Sequence, residues 1–286
     1  MNEQKIKHSL DINFRSTLQE YSDNLDRQFN FIQIGCNDGY MADPIFDLVR
    51  RNNWRGLMAD ADSYYLQRAA ALHVDAKKDS TNYSELIFLH TAVSTIADYH
   101  NTQSPWKKFY SLIPEAIRPT VVKDGLGRIG WLYGDALFAG TNADPIRNNP
   151  LDYLSGIGSF DYDFVLDHIK NACGKSDACG EISRAVFSTQ EEHWPRFVKT
   201  QFVPTTHING IFETAKFENV DFLQTDMEMW DVKVMEEIAQ FQIKPKFIHF
   251  EAPGGITQNL INKFNECGYD IGAPQDSKDQ FAVYRE

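Results

Sequence analysis

A chain carrying the stretch Phe29 to Tyr40, F-N-F-I-Q-I-G-C-N-D-G-Y, has few ways to fold around it. Phe31, Ile32 and Ile34 predict a short buried strand, and Gly35-Cys36-Asn37-Asp38-Gly39 a tight turn. From Met41 to Asn52 the apolar residues Ile45, Phe46, Leu48 and Val49 recur at helical spacing. Strand, glycine turn and helix in that order open a nucleotide-type α/β sheet. Glycine lets the backbone turn sharply and lets a ligand approach where a Cβ would block it. The helix start then offers unpaired N–H groups to a polar ligand group.

The later chain repeats the pattern. Gly56 to Ala59 predicts a second strand ending on Asp60, with Ser63 as N-cap of a helix through Leu72. An acid closing the second strand, about 20 residues after the glycine turn, is where such sheets hold a ribose diol. Asp60 is the first choice and Asp62 the reserve, with capping of the helix as the alternative role for Asp62. Residues 85–94 predict a third strand, which places His90, Thr91 and Ala92 where an adenine would lie; for His90 a structural role is the alternative. The rhythm returns with a strand from Val220 to Asp226, a helix from Trp230 to Phe241 and a strand from Lys246 to Glu251. A helix from Thr257 to Cys267 follows. Tyr269–Gly272 and Gln280–Arg285 close as an antiparallel pair.

Two segments depart from this rhythm. Residues 1–28 read as a helical lead-in, with Leu18, Tyr21 and Leu25 on one face, covering the sheet edge or the ligand site. Residues 95–204 are rich in Pro and Gly, yet carry aromatics such as Trp106, Phe109, Tyr110, Trp131, Phe160 and Trp194. They predict an ordered substrate-side insertion, or lid, folded over the carboxyl edge. The aromatics would form either a pocket wall or, for most of them, the insertion's own core. Residues 29–286 otherwise form one domain, and 286 residues that are 42% hydrophobic suffice for it.

A net charge of -12 repels nucleic-acid phosphates and anionic lipid, so neither is an expected partner. Lys77-Lys78 and Lys107-Lys108 are too short to form a basic patch. The four cysteines (Cys36, Cys173, Cys179, Cys267) show no C-x-x-C pair and fit free thiols in a reducing compartment, although a local Cys173–Cys179 loop disulfide is conceivable. The first ten residues lack the apolar core of a signal peptide, and no apolar run is long enough to span a bilayer. The expectation is a soluble, cytoplasmic protein, alone or as a homodimer, acting on a small molecule.

Ligands of open α/β sheets bind beyond the carboxyl ends of the strands. Those ends collect Gly35 to Gly39, Asp60, Asp226 with Glu228, and Glu251. An acid-fringed edge suits a cationic or hydroxyl-rich ligand. A pyrophosphate fits less well, because the turn is acidic at Asp38 and reads G-x-x-x-G, not G-x-G-x-x-G. No G-x-x-x-x-G-K-[ST] occurs, so phosphoryl transfer is unsupported.

F-I-Q-I-G-C-N-D-G, G-L-M-A-D-A-D-S-Y-Y, G-I-G-S-F at 156–160, V-D-F-L-Q-T-D-M-E-M-W-D-V-K-V-M and P-K-F-I-H-F-E together resemble the FkbM family of S-adenosylmethionine-dependent methyltransferases. The likeness spans roughly 29–72 and 205–255, with a shorter echo near 155–165. It implies a class I methyltransferase fold, α/β and Rossmann-like. The sheet would be mostly parallel with a C-terminal antiparallel pair, and a large insertion would lie over its carboxyl edge. The implied activity is O-methylation of a hydroxyl on a sugar or natural product, with S-adenosylmethionine as cofactor.

Carried onto this chain, Gly35, Asn37 and Gly39, with Cys36 and Asp38 between them, would line the methionine part of the cofactor. Asp60, with Ala61 beside it, would take the ribose, while Thr91 and Ala92 face the adenine. Asp226 would stand beside the methyl group, followed by Glu228 as in the family's D-x-E-G. Met229 replaces that glycine here, and Asp60-Ala61 replaces Glu-Pro.

The implied reaction is direct methyl transfer with loss of the hydroxyl proton. Asp226 is the favoured base, with His249 and His207 behind it. His249 also reads as a core histidine. Asp226, Glu228 and Asp231 are alternatively ligands for a divalent cation, although their spacing equally suits solvated or capping acids, and no metal is expected. Two rival readings stand beside this one: an NAD-type oxidoreductase, which lacks the third fingerprint glycine, and a non-catalytic adaptor that keeps the fold without the chemistry.

Overall fold

A computed structural model of the chain describes residues 14–37, 39, 43–52, 54–77, 85–102, 104–113, 120–123, 129–133, 136–139, 154, 157–176, 178–187, 190–253, 255–272 and 278–285. Asp38 and Gly156 lie outside them. The chain forms two compact units: residues through Lys107 together with Val203 onward, and Lys108–Phe202 between.

In the first unit, α1 (Phe14–Asp23) precedes β1 (Asn30–Ile34), α2 (Phe46–Arg51), β2 (Arg55–Asp60), α3 (Ser63–Lys77), β3 (Leu86–His90), β4 (Ala92–Ser94) and α4 (Ile96–Asn101). The chain passes through β5 (Trp106–Leu112) into the second unit. That unit holds β6 (Thr120–Lys123), β7 (Ile129–Tyr133), β8 (Ala136–Ala139), β9 (Gly158–Ser159), α5 (Tyr162–Gly174), α6 (Ala178–Phe187) and a 3-10 turn at Glu191–Phe197. Strand β10 (Val198–His207) leads back to α7 (Ile208–Ala215), β11 (Phe222–Thr225), α8 (Asp231–Met235), β12 (Phe247–Glu251), α9 (Gln258–Glu266), β13 (Tyr269–Gly272) and β14 (Asp279–Tyr284).

Seven strands form one sheet in the order β13-β14-β12-β11-β1-β2-β3. β3, β2, β1, β11 and β12 pair in parallel, while β14 runs antiparallel to both β12 and β13. The order reverses between β1 and β11, the switch point at which an open sheet offers its crevice.

Side chains alternate across this sheet, as strand geometry requires. Ile32, Leu57, Leu223 and Ile248 face a core built with Ile211 and Phe212 of α7, Val234 of α8, and Leu260 and Phe264 of α9. Phe31, Met58, Phe222 and Phe247 face the opposite core, built with Leu18 of α1, Leu48 and Val49 of α2, and Leu66 and Ala69 of α3. Helices on both faces therefore seal a mostly parallel sheet, a Rossmann-like architecture. Among the described residues no helix is long and apolar enough to cross a membrane.

Four local expectations change. Residues 85–94 are two strands, not one: β3 pairs with β2, while β4 leaves that sheet and pairs with β10 through Thr205, Thr206 and His207. Asp62 caps α3, its carboxylate accepting the Tyr64 N–H at 3.0 Å, so Ser63 is already inside the helix. The helix expected over 230–241 is α8 followed by a 3-10 turn at Ile238–Gln240. Between them, Glu237 turns its carboxylate to the backbone N–H groups of Ile96 and Ala97 and caps α4. Helix α2 begins at Phe46 rather than near Met41, where Asp43 accepts the N–H groups of Ile45 and Phe46.

The second unit has its own core of Leu112, Leu154, Val165, Ile169, Phe187 and Trp194, with Tyr110, Phe164 and Phe197 packed against it. Those aromatics thus serve the unit's packing. Trp106, just outside this unit, stays half exposed.

Candidate active site

The turn after β1 is held open by backbone geometry. Gly35 (φ 74°), Asn37 (φ 48°) and Gly39 (φ 62°) are all left-handed. The Gly35 and Cys36 N–H groups donate to the Ala59 carbonyl at 2.9 and 3.2 Å, and the Gly39 N–H closes the turn on the Cys36 carbonyl at 2.8 Å. The Asn37 side chain takes a left-handed position at lower cost than most residues would.

Asp60 joins this turn to the second strand. Its Oδ2 accepts the Asn37 N–H at 2.8 Å and its Oδ1 the Asp62 N–H at 2.7 Å. A carboxylate has about four acceptor positions, so both oxygens keep capacity for a diol. Burial pushes the Asp60 pKa up to about 7, against the lowering effect of those N–H donors.

On the other side of β1, the Asp226 N–H donates to the Ile34 carbonyl at 2.9 Å, which places Asp226 beside Gly35. Asp226 stands open to solvent at the sheet edge. The crowding of protein around it raises its pKa, and the negative charges of Asp231, Glu251, Asp279 and Asp60 add to the shift. Open to water, the group feels this penalty less than a sealed one, but the direction is upward. Glu228 is raised by the same two causes, with Asp226 its largest charged neighbour.

Asp231 is almost fully buried, and its Oδ2 accepts the Met227 N–H at 2.8 Å, pinning the loop between β11 and α8. Burial lifts its pKa to about 6. Within this loop Glu228 (φ 46°) and Met229 (φ 76°) are both left-handed. The backbone therefore keeps a glycine-type conformation at Met229, although the side chain is not glycine.

The remaining sequence candidates sit elsewhere around the sheet. Ala61 is buried, and its carbonyl bonds the His90 ring at 3.0 Å. The buried Thr91 hydroxyl donates to the Pro204 carbonyl at 3.0 Å, and Ala92 is buried where β4 begins. His207 packs edge-on to Tyr99 and tilted against His100, with ring centroids 4.8 and 5.4 Å away, and burial lowers its pKa. His249 is buried in β12 under Phe14, with centroids 4.7 Å apart, and burial lowers its pKa against the opposing charge of Asp279.

Sequence reasoning passed over Gln33 and Gln224. Both are buried and occupy the same row as His249, by the pairings Gln33↔Gln224 and Gln224↔His249. The available signal was a glutamine inside each of two otherwise apolar strands, F-I-Q-I and F-L-Q-T. Among the described residues, no three His, Cys, Asp or Glu side chains are grouped to hold a metal ion.

A parallel sheet with this strand order, a glycine turn at its switch point and acids at its carboxyl edge defines a methyltransferase-type nucleotide fold. The sequence profile of the methyltransferase FkbM domain matches residues 33–271, and the chain belongs to that family. Comparison with curated proteins gives no match. Among solved structures, a phosphoethanolamine N-methyltransferase 1 of Haemonchus contortus, in complex with phosphoethanolamine and S-adenosylhomocysteine, is 10% identical. That alignment covers 92% of this chain and 84% of the other, at a TM-score of 0.17, too low to carry an argument.

Proposed function

We propose that the protein is an S-adenosylmethionine-dependent O-methyltransferase acting on a hydroxyl of a sugar or natural-product-type small molecule. The observation that carries this reading is the ring of mutually repelling carboxylates around Gly35. The protein crowded around Asp226 and the charges of Asp231, Glu251, Asp279 and Asp60 raise its pKa, and burial with Asp226, Glu251 and Asp231 raises that of Glu228 against the opposing Lys278. A ligand bringing positive charge would relieve that repulsion.

S-adenosylmethionine would supply an activated methyl on a positively charged sulfonium. The chain's own residues have three tasks. The turn at Gly35–Gly39 keeps side chains clear of the ligand. Asp60 uses its remaining acceptor positions on the ribose hydroxyls. Asp226, open at the edge and with a raised pKa, takes the proton from the acceptor hydroxyl, since a base with pKa nearer neutrality is better matched to that transfer.

The test is thermal unfolding with S-adenosylhomocysteine and, separately, with NAD. Stabilisation by the first alone supports the reading. Stabilisation by NAD alone supports the oxidoreductase. Stabilisation by neither, at millimolar ligand, supports the non-catalytic adaptor.

A further inference from the structure

Three polar side chains lie in one row across the centre of the sheet, on the face covered by α1. Gln33, Gln224 and His249 are 2%, 5% and 8% exposed. The Gln33 Oε1, Gln224 Oε1 and His249 Nδ1 atoms are sealed from solvent and meet no hydrogen-bond partner among the described residues. Such groups are rare in folded proteins, and each points to a partner that the described residues do not supply.

The position of the row is informative. Each member lies two residues upstream of an edge residue: Gln33 before Gly35, Gln224 before Asp226, His249 before Glu251. Strand periodicity places the row one pleat repeat, roughly 7 Å, beneath the site.

Helix α1 covers it. Phe14 stacks over His249 and packs near Phe222 and Phe281, while Tyr21 meets Phe29 and Phe247 at the other end of the strands. The helix therefore runs against β12, with its first turn toward the carboxyl edge. Its second half is tied down by buried Leu18 and by the bond from Trp54 Nε1 to Ser22 Oγ at 2.7 Å. Phe14, half-buried, lies over the His249 end of the row.

We infer that Gln33, Gln224 and His249 form the floor of an acceptor subsite for a neutral polyol, with Phe14 as its cover. This rests on the methyl-transfer reading for naming the ligand the acceptor. The chemistry of the row selects the class. Two amides and a neutral imidazole each offer donors and acceptors but no charge. An anion would face the carboxylates of the edge. A cation would bind those carboxylates instead. An alcohol hydroxyl both donates and accepts, so adjacent hydroxyls satisfy amide and ring together.

The test uses the full chain saturated with S-adenosylhomocysteine, with xylitol as the probe and the His249 ring resonances as the readout. Xylitol is expected to shift those resonances saturably. Gln33→Leu and Gln224→Leu, which keep the volume and remove the polar group, are expected to weaken xylitol binding roughly tenfold each while leaving S-adenosylhomocysteine affinity unchanged. No saturable shift in the natural protein overturns the inference. So does unaltered xylitol binding by the leucine variants, which would leave the row to internal water. If S-adenosylhomocysteine fails to bind, the methyl-transfer reading falls, while the same titration without it still reports on the row.

Discussion

Gly35 lies so close to Asp226 that a Cβ added to it would stand 1.8 Å from the Asp226 carbonyl oxygen. With its φ of 74°, the position excludes every side chain on two independent grounds. Gly35→Ala must push β11 away from β1 at the point where the site is assembled. It is expected to cost about 3 kcal/mol or more and to abolish cofactor binding. Urea unfolding checks the first and calorimetry the second; a loss below about 1 kcal/mol would show that the two strands part easily here.

Met229 makes the opposite case. A side chain occupies a left-handed position, at φ 76°, in a backbone conformation that favours glycine. Left-handed backbone costs such a residue about 1–2 kcal/mol, and glycine returns part of that gain as lost chain entropy. Met229→Gly is expected to stabilise the protein by about 0.5–1 kcal/mol without lowering methyl transfer. A destabilised variant would mean that the exposed Met229 side chain makes contacts worth more than the strain.

The edge carboxylates set a pH dependence. Burial raises Asp60 to about 7 and Asp231 to about 6, both above the usual value of 3.8. These two groups then make the folded protein bind more protons than the unfolded chain between about pH 4 and 7, and Asp226 and Glu228, raised to about 8, carry the excess higher. The contribution of these groups is fully present below pH 4 and is lost as pH rises through the folded pKa values. Denaturant midpoints of the cofactor-free protein should fall across that window, and Asp231→Asn should flatten the lower part. Midpoints that climb steadily with pH would contradict the assignment.

Asp226→Asn separates binding from chemistry. The amide removes the proton acceptor while keeping the shape, so turnover with the acceptor is expected to drop about 10²–10³-fold. S-adenosylhomocysteine, which lacks the sulfonium charge, should bind nearly as before. Equal turnover in both proteins would assign the proton to another group.

Arg27 and Asp221 tie the lead-in to β11. Two bonds of 2.7 and 2.6 Å join the guanidinium to a carboxylate that is 1% exposed and also accepts the Asn30 N–H. Arg27→Ala strands that buried charge. Because Arg27 is itself partly open to water, the cost should be about 2 kcal/mol. Adding Asp221→Asn should recover part of it, as a double-mutant cycle would reveal.

Much of this was legible from local pattern. The glycine turn at 35–39, the acid at Asp60, the strand ending at Asp226 and the closing pair 269–284 follow from periodicity and turn chemistry that neighbours along the chain impose. The splitting of 85–94 was not legible, because β3 and β4 differ only in which distant strand each one meets. The capping role of Asp62 was visible as one of two readings, and the hydrogen bond from the Tyr64 N–H shows it.

By itself the sequence determined the strands and helices of roughly 29–72 and 220–285 and the acids that end the strands, since side-chain alternation and backbone freedom are properties of consecutive residues. The tertiary structure alone decided that Gln33, Gln224 and His249 share one row under Phe14. It alone decided, too, which carboxylates lie near enough to raise the Asp226 pKa. Register between strands nearly 200 residues apart is set by packing and through-space charge, and neither leaves a mark in any local stretch of chain.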